Sequence, residues 1–136
     1  MNLAAYNLKD LLLAAIKSEV ESRIVYETVA EKVRNAFLKE RLQFLAGEEK
    51  KHKVFIEELF KERFPVNEIV LPKETPVPLP SVKIPDENTP LSIVFENAMR
   101  AERVSSEFYA GLTAFFDSEV NKTLFYFAAM EMDHYR

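Results

Sequence analysis

Residues 42–52 read LQFLAGEEKKH and residues 124–134 read LFYFAAMEMDH, and the two stretches align without a gap. Each ends in a histidine with a glutamate three positions before it: Glu49 and His52 in the first, Glu131 and His134 in the second. These are the only histidines in 136 residues. On an α-helix, residues three apart share a face and lie about 4.5 Å apart along the axis, so Glu-x-x-His can aim both side chains at one metal ion. A single pair of this kind is ordinarily a solvated surface pair. Its doubling is the informative part.

The repeat extends outward from the two motifs. Glu19 precedes Tyr26 by seven residues, and Glu102 precedes Tyr109 by seven. Ala15-Ile16 ahead of the first glutamate matches Ala98-Met99 ahead of the second. The halves are offset by 83 residues over the lone glutamates and by 82 over the Glu-x-x-His motifs. A two-fold internal duplication is the simplest explanation.

Each half reads as two helices. Apolar residues recur at helical spacing over about 8–34, 36–63, 90–116 and 118–136. Asn7 is placed to cap the first helix, with Asp10 in its first turn, and a break near Asn35 opens the second. Thr89-Pro90 reads as an N-cap followed by proline at the first helical position. Asp117 or Ser118 is expected to cap the fourth helix. All seven prolines fall between Pro65 and Pro90, which forbids helix over 64–89 and implies an extended, semi-rigid connection. So long a connection has a purpose if it runs the length of a bundle. The expected fold is therefore all-α: one domain over 1–136, a ferritin-like four-helix bundle of two helical hairpins joined by a Pro-rich crossover.

The apolar stripes decide where the motifs point. Around Glu49 the same-face positions are Leu38, Leu42, Leu45, Ala46, Ile56 and Leu59; around Glu131 they are Val120, Leu124, Phe127 and Ala128. Glu19 sits among Leu8, Leu12, Ala15, Ile16, Tyr26 and Ala30, and Glu102 among Leu91, Phe95, Ala98, Met99 and Tyr109. A carboxylate on a core-facing stripe is costly unless paired or coordinated. Four converging carboxylates would repel and take up protons unless cations lay between them. Two divalent ions balance four such charges. One glutamate from each of two helices plus Glu-x-x-His from the other two is the known pattern of di-iron and di-manganese carboxylate bundles. The candidate metal ligands, and the candidate catalytic residues with them, are Glu19, Glu49, His52, Glu102, Glu131 and His134. Imidazole and carboxylate suit iron and manganese, and zinc as well, so the ligand set alone does not choose among them; two metal ions are expected, iron first, with manganese or zinc as alternatives.

Other positions carry weaker signals. The hydroxyls of Tyr26 and Tyr109 either hydrogen-bond ligand carboxylates or are satisfied elsewhere in the core. Gly47 and Gly111 lie inside helices, where close helix approach or space for an exogenous ligand would account for them. Glu21, Glu48 and Asp133 are expected on a solvated face. The Phe-rich stretch of the fourth helix reads as core or as a subunit interface.

Composition removes several classes of function. Without cysteine there is no disulfide, thiolate catalysis, iron–sulfur cluster or Cys₄ iron site within the chain. A net charge of −4 with no basic block argues against nucleic acid. The apolar run Leu11–Ile16 is too short for a signal peptide, and no stretch is long enough to span a membrane, so a cytoplasmic protein is expected.

The stretches AIKSEVESRIVYETVAEK (15–32) and LKERLQFLAGEEKKHKVFIEELF (38–60), with the Glu-to-Tyr spacing of seven, resemble the first two helices of the rubrerythrin branch of the ferritin-like superfamily. The resemblance implies Glu49 and Glu131 as bridging carboxylates, Glu19 and Glu102 as terminal ligands, and His52 and His134 as one nitrogen ligand each. It implies a diferrous centre that reduces hydrogen peroxide, or less readily O₂, each iron giving one electron. Three departures follow. Full rubrerythrins carry a C-terminal rubredoxin-type domain, which a chain without cysteine cannot have, so an external electron-donor protein is expected. Their extra glutamate one turn after the third-helix ligand is here Ser105. The chain also stops two residues after His134, whereas helix two runs about eleven beyond His52, so a longer natural chain is expected. Two other readings stay open: a ferroxidase for iron storage or detoxification, and a bundle whose metal is structural. A homodimer, the expected assembly, would argue against a storage shell.

Overall fold

The computed structural model of the protein describes residues 2–74, 77, 79, 86 and 88–135, the side chains of 133–135 excepted. Among the described residues there are four α-helices and no strand: α1 (Leu8–Lys32), α2 (Ala36–Arg63), α3 (Leu91–Leu112) and α4 (Ser118–Tyr135), with a short 3₁₀ turn at Thr113–Phe115. The all-α bundle expected from the periodicity is what the chain forms.

Local chemistry sets the helix starts. The Asn7 side chain accepts from the Asp10 backbone N–H at 2.8 Å, and Asn35 accepts from that of Leu38 at 3.0 Å. Asp117 Oδ1 accepts from the Val120 N–H at 3.0 Å and so is the cap of α4. Each satisfies a donor that has no partner within its helix. The start of α3 differs from expectation. Pro90, not Thr89, is the cap residue, and no side chain bonds the exposed N–H groups there. The Thr89 hydroxyl donates instead to Asp86 Oδ1 at 2.9 Å. The end of α3 also comes earlier than expected, at Leu112. Beyond it the chain tightens into the 3₁₀ turn, and Asn121 Nδ2 donates to the carbonyls of Thr113 and Phe116 at 2.9 and 3.2 Å.

The helices pack most extensively as the hairpins α1–α2 and α3–α4. Their buried apolar residues fall into two clusters. One includes Leu11, Leu12 and Ile16 of α1, Ile56, Leu59 and Phe60 of α2, Phe108 and Leu112 of α3, and Leu124 and Phe127 of α4. The other includes Val25 and Val29 of α1, Leu42 and Leu45 of α2, and Val94 and Ala98 of α3. The start of α1 thus lies beside the ends of α2 and α3, so α1 runs antiparallel to both. Because α2 ends at the first cluster and α3 begins at the second, the crossover has to traverse the bundle. Ile69, Val77 and Leu79 pack against the first cluster along the way.

Some residues on the expected core stripes are not buried. Leu91 and Met99 of α3 are 42% and 39% exposed, at the end where the described cluster draws on three helices only. In the Phe-rich stretch of α4, Phe127 is core while Phe125 and Tyr126 face outward. No described helix is long and apolar enough to cross a membrane.

Phe60 is fully buried, at the core end of α2, and stacks on Phe64 at 5.3 Å between ring centroids. Phe60→Ala should destabilise the bundle by about 3–5 kcal/mol. Urea unfolding would show this as a lower midpoint with an unchanged slope.

Candidate metal centre

Between the two apolar clusters each helix contributes a glutamate. Glu19, Glu49, Glu102 and Glu131 are all buried, as is His52. Glu19, Glu49, His52 and Glu131 each present one ligand atom, and these four atoms lie within 4.8 Å of one another. Two come from α2, one from α1 and one from α4, so the group forms only when the two hairpins dock. His52 Nδ1 lies 2.9 Å from Glu131 Oε1 and 3.7 Å from Glu19 Oε1. Phe127 lies against the imidazole, ring centroids 4.1 Å apart, and Tyr109 meets it edge-on.

Glu102 stands outside this four-atom group. Its Oε1 accepts from the Tyr26 hydroxyl at 2.6 Å, while Glu19 Oε1 accepts from the Tyr109 hydroxyl. Each tyrosine therefore serves the glutamate of the other half, and the internal repeat exchanges the two pairs. Of the two readings the sequence left open, the tyrosines take the first. Under the same exchange, the counterpart of the gathered group is Glu102, Glu131, His134 and Glu49. The backbone of His134 lies in α4, and its side chain lies outside the described residues.

A metal-free layer of this kind is electrostatically strained. Burial raises the Glu49 carboxyl well above its ordinary range, and the carboxylates of Glu19 and Glu131 push it further. Burial alone would lower the His52 pKa, but Glu131 and Glu19 outweigh it and hold the imidazolium up at about 9. Tyr26 and Tyr109 are raised mainly by burial and then by nearby carboxylates, so both hydroxyls remain proton donors. Glu19 Oε2 and His52 Nε2 are buried and have no hydrogen-bond partner. Buried polar atoms without partners cost free energy, and a cation that takes the place of the His52 Nε2 proton and binds the Glu19 carboxylate removes that cost. The residues present fit a divalent ion.

Three features run against or beyond the sequence reading. Glu48, expected on a solvated face, is buried; Lys51 Nζ reaches back to its Oε1 at 3.2 Å. Its burial was legible in the ridge Leu45, Glu48, His52 and Phe55, which follows helical spacing. Gly47 does not mark a close approach, because a Cβ there would meet nothing within 4 Å. Of the buried serines, the sequence marks only Ser105, as the residue in place of the extra glutamate. Ser22 and Ser105 occupy equivalent places in the two halves, three residues after Glu19 and Glu102, and the Ser106 hydroxyl donates to the Ala128 carbonyl at 2.7 Å, tying α3 to α4. Of the other residues given to the solvated face, Glu21 pairs with Lys17 at 2.8 Å and the side chain of Asp133 lies outside the described residues.

The Rubrerythrin family model matches residues 10–136. No curated protein matches the chain. Among solved structures, a hypothetical protein from Pyrococcus furiosus is 36% identical and superposes with a TM-score of 0.84, the match covering 98% of this chain and 86% of that one.

Two outcomes test the layer. In the metal-free protein Glu49 and His52 bind protons more tightly folded than unfolded. That stabilisation is complete below their ordinary values of 4.5 and 6.5 and is lost as pH rises through the folded ones. Thermal melts after chelation should therefore shift down from pH 5 to pH 9, whereas metal-loaded protein gains affinity as its ligands deprotonate. Replacing Tyr26 and Tyr109 by phenylalanine should weaken metal binding by about 10–100-fold, read by competition with a chromophoric chelator.

Proposed function

We infer the function from one premise, that this chain belongs to the rubrerythrin family, and propose that it reduces hydrogen peroxide at a buried two-metal carboxylate centre. The observation that carries this reading is the gathered group itself. Four ligand atoms from both hairpins lie within 4.8 Å, and among them Glu19 and His52 keep a buried polar atom with no hydrogen-bond partner. Glu19, Glu49, His52 and Glu131 would hold one ion. Glu102 and His134, with Glu49 and Glu131 bridging, would hold the second.

Iron is the proposed metal. Two ferrous ions, when bound, would supply the two electrons that, with two protons, convert one hydrogen peroxide into two waters. The chain's own residues do the rest. The apolar clusters on either side keep bulk water from the layer. Tyr109 donates to Glu19 Oε1 and leaves Oε2, buried and without a hydrogen-bond partner, available as a ligand. Tyr26 holds Glu102 in the same way from the other half. Their hydroxyls stay protonated through the working pH range, because burial and the neighbouring carboxylates disfavour the phenolate.

Residues 1–136 carry no cysteine, so the proposed electron source lies outside them, and a separate donor protein would restore the ferrous state. The proposed setting is the cytoplasm and the proposed assembly a homodimer.

The test is metal analysis, anaerobic reduction and stopped-flow mixing with peroxide or with O₂. Two irons per chain and faster oxidation by peroxide are expected. Oxidation by O₂ with iron accumulating beyond two per chain would replace this reading with a ferroxidase, and tight zinc without redox turnover would make the metal structural. Glu49→Ala and Glu131→Ala should each abolish two-metal binding.

A further inference from the structure

Every described ligand side chain is at most 3% exposed, so a reactant needs a way in. On the α2–α4 flank the site is closed by aromatic rings. Phe127 stacks on His52, and Phe55 packs edge-on against Phe127 at 5.2 Å. The α1–α3 flank is built differently. There a crevice is lined by Ser22, Val25, Tyr26, Ala98, Ala101 and Glu102. Its empty volume is about 160 Å³ counting open solvent, and as it stands the crevice has no room for a water at rest. The walls are small side chains, and the hydrogen-bonded Tyr26–Glu102 pair is also part of its lining.

We propose that this α1–α3 crevice is the route by which the reactant reaches the metal layer, and that its small-residue walls select by size. A molecule of two heavy atoms passes when α1 and α3 side chains move apart slightly. A branched organic hydroperoxide does not. Ala98, Ala101 and Val25 set the width, while Ser22, Tyr26 and Glu102 are the polar groups that line it. The inference deepens the peroxide reading above and rests on it for the reactant's identity, but not for the route.

Nitric oxide is a suitable probe, because it is small and neutral and its binding to ferrous iron is read optically without turnover. In iron-loaded protein, Ala98→Leu and Ala101→Val should slow its association by about tenfold or more with iron content unchanged. Val25→Ala, which widens the crevice, should raise the rate with tert-butyl hydroperoxide relative to hydrogen peroxide by about tenfold. If the narrowing variants keep their iron and bind nitric oxide at the parent rate, the route is elsewhere. Should they fail to fold or to load, the Val25→Ala ratio decides alone, and an unchanged ratio overturns the proposal. Gated nitric oxide binding with no peroxide oxidation at all would sink the peroxide reading and leave the route standing.

Discussion

Four carboxylates and an imidazole held in a dry layer between two apolar clusters form the constraint on which the rest of the structure depends. Ionised groups removed from water lose hydration free energy that only paired charges, hydrogen bonds or metal ions restore. The protein supplies part of this from its own side chains: Tyr26 to Glu102, Tyr109 to Glu19, His52 to Glu131. These bonds leave Glu19 Oε2 and His52 Nε2 buried without a hydrogen-bond partner. A bundle with hydrophobic residues at these positions would be easier to stabilise. The layer therefore makes physical sense as a binding site whose ligand completes the fold.

Much of this was legible in the sequence because its signals were periodic or doubled. Apolar spacing at three and four residues located the helices, and prolines marked the crossover. The repeat singled out Glu-x-x-His from an otherwise glutamate-rich background. What escaped depended on three-dimensional neighbours. The α3 cap was misplaced because Thr89 found a nearer partner in Asp86, a local competition that spacing does not reveal. Glu48 is buried where its charge predicts a solvated face, because it shares a ridge with Leu45, His52 and Phe55. The tyrosine–glutamate pairing runs between helices, so same-helix spacing could place each hydroxyl at the right depth without naming its partner.

The pairing also shows how the two halves divide the work. Within a hairpin, α2 and α4 carry the Glu-x-x-His motifs, while α1 and α3 carry the lone glutamates and the tyrosines. Neither hairpin assembles the gathered group alone, since Glu49 and His52 require Glu131 from the opposite half. Ser22 and Ser105 are buried small residues three positions after the lone glutamates, and Ser22 lines the crevice between α1 and α3.

The exchange of tyrosine partners has a further consequence for how such a chain could have originated. Two identical copies of a single hairpin, related by a two-fold axis, would bring together the same ligands and the same crossed tyrosine–glutamate bonds, with every one of those bonds running between molecules. Joining the copies through the crossover changes none of the contacts. It replaces a concentration-dependent encounter with a tethered one. After that fusion the two halves no longer had to remain identical. Their present differences, glycine at 47 against alanine at 129 or lysine at 51 against aspartate at 133, are changes that a strict dimer would have been forced to make twice.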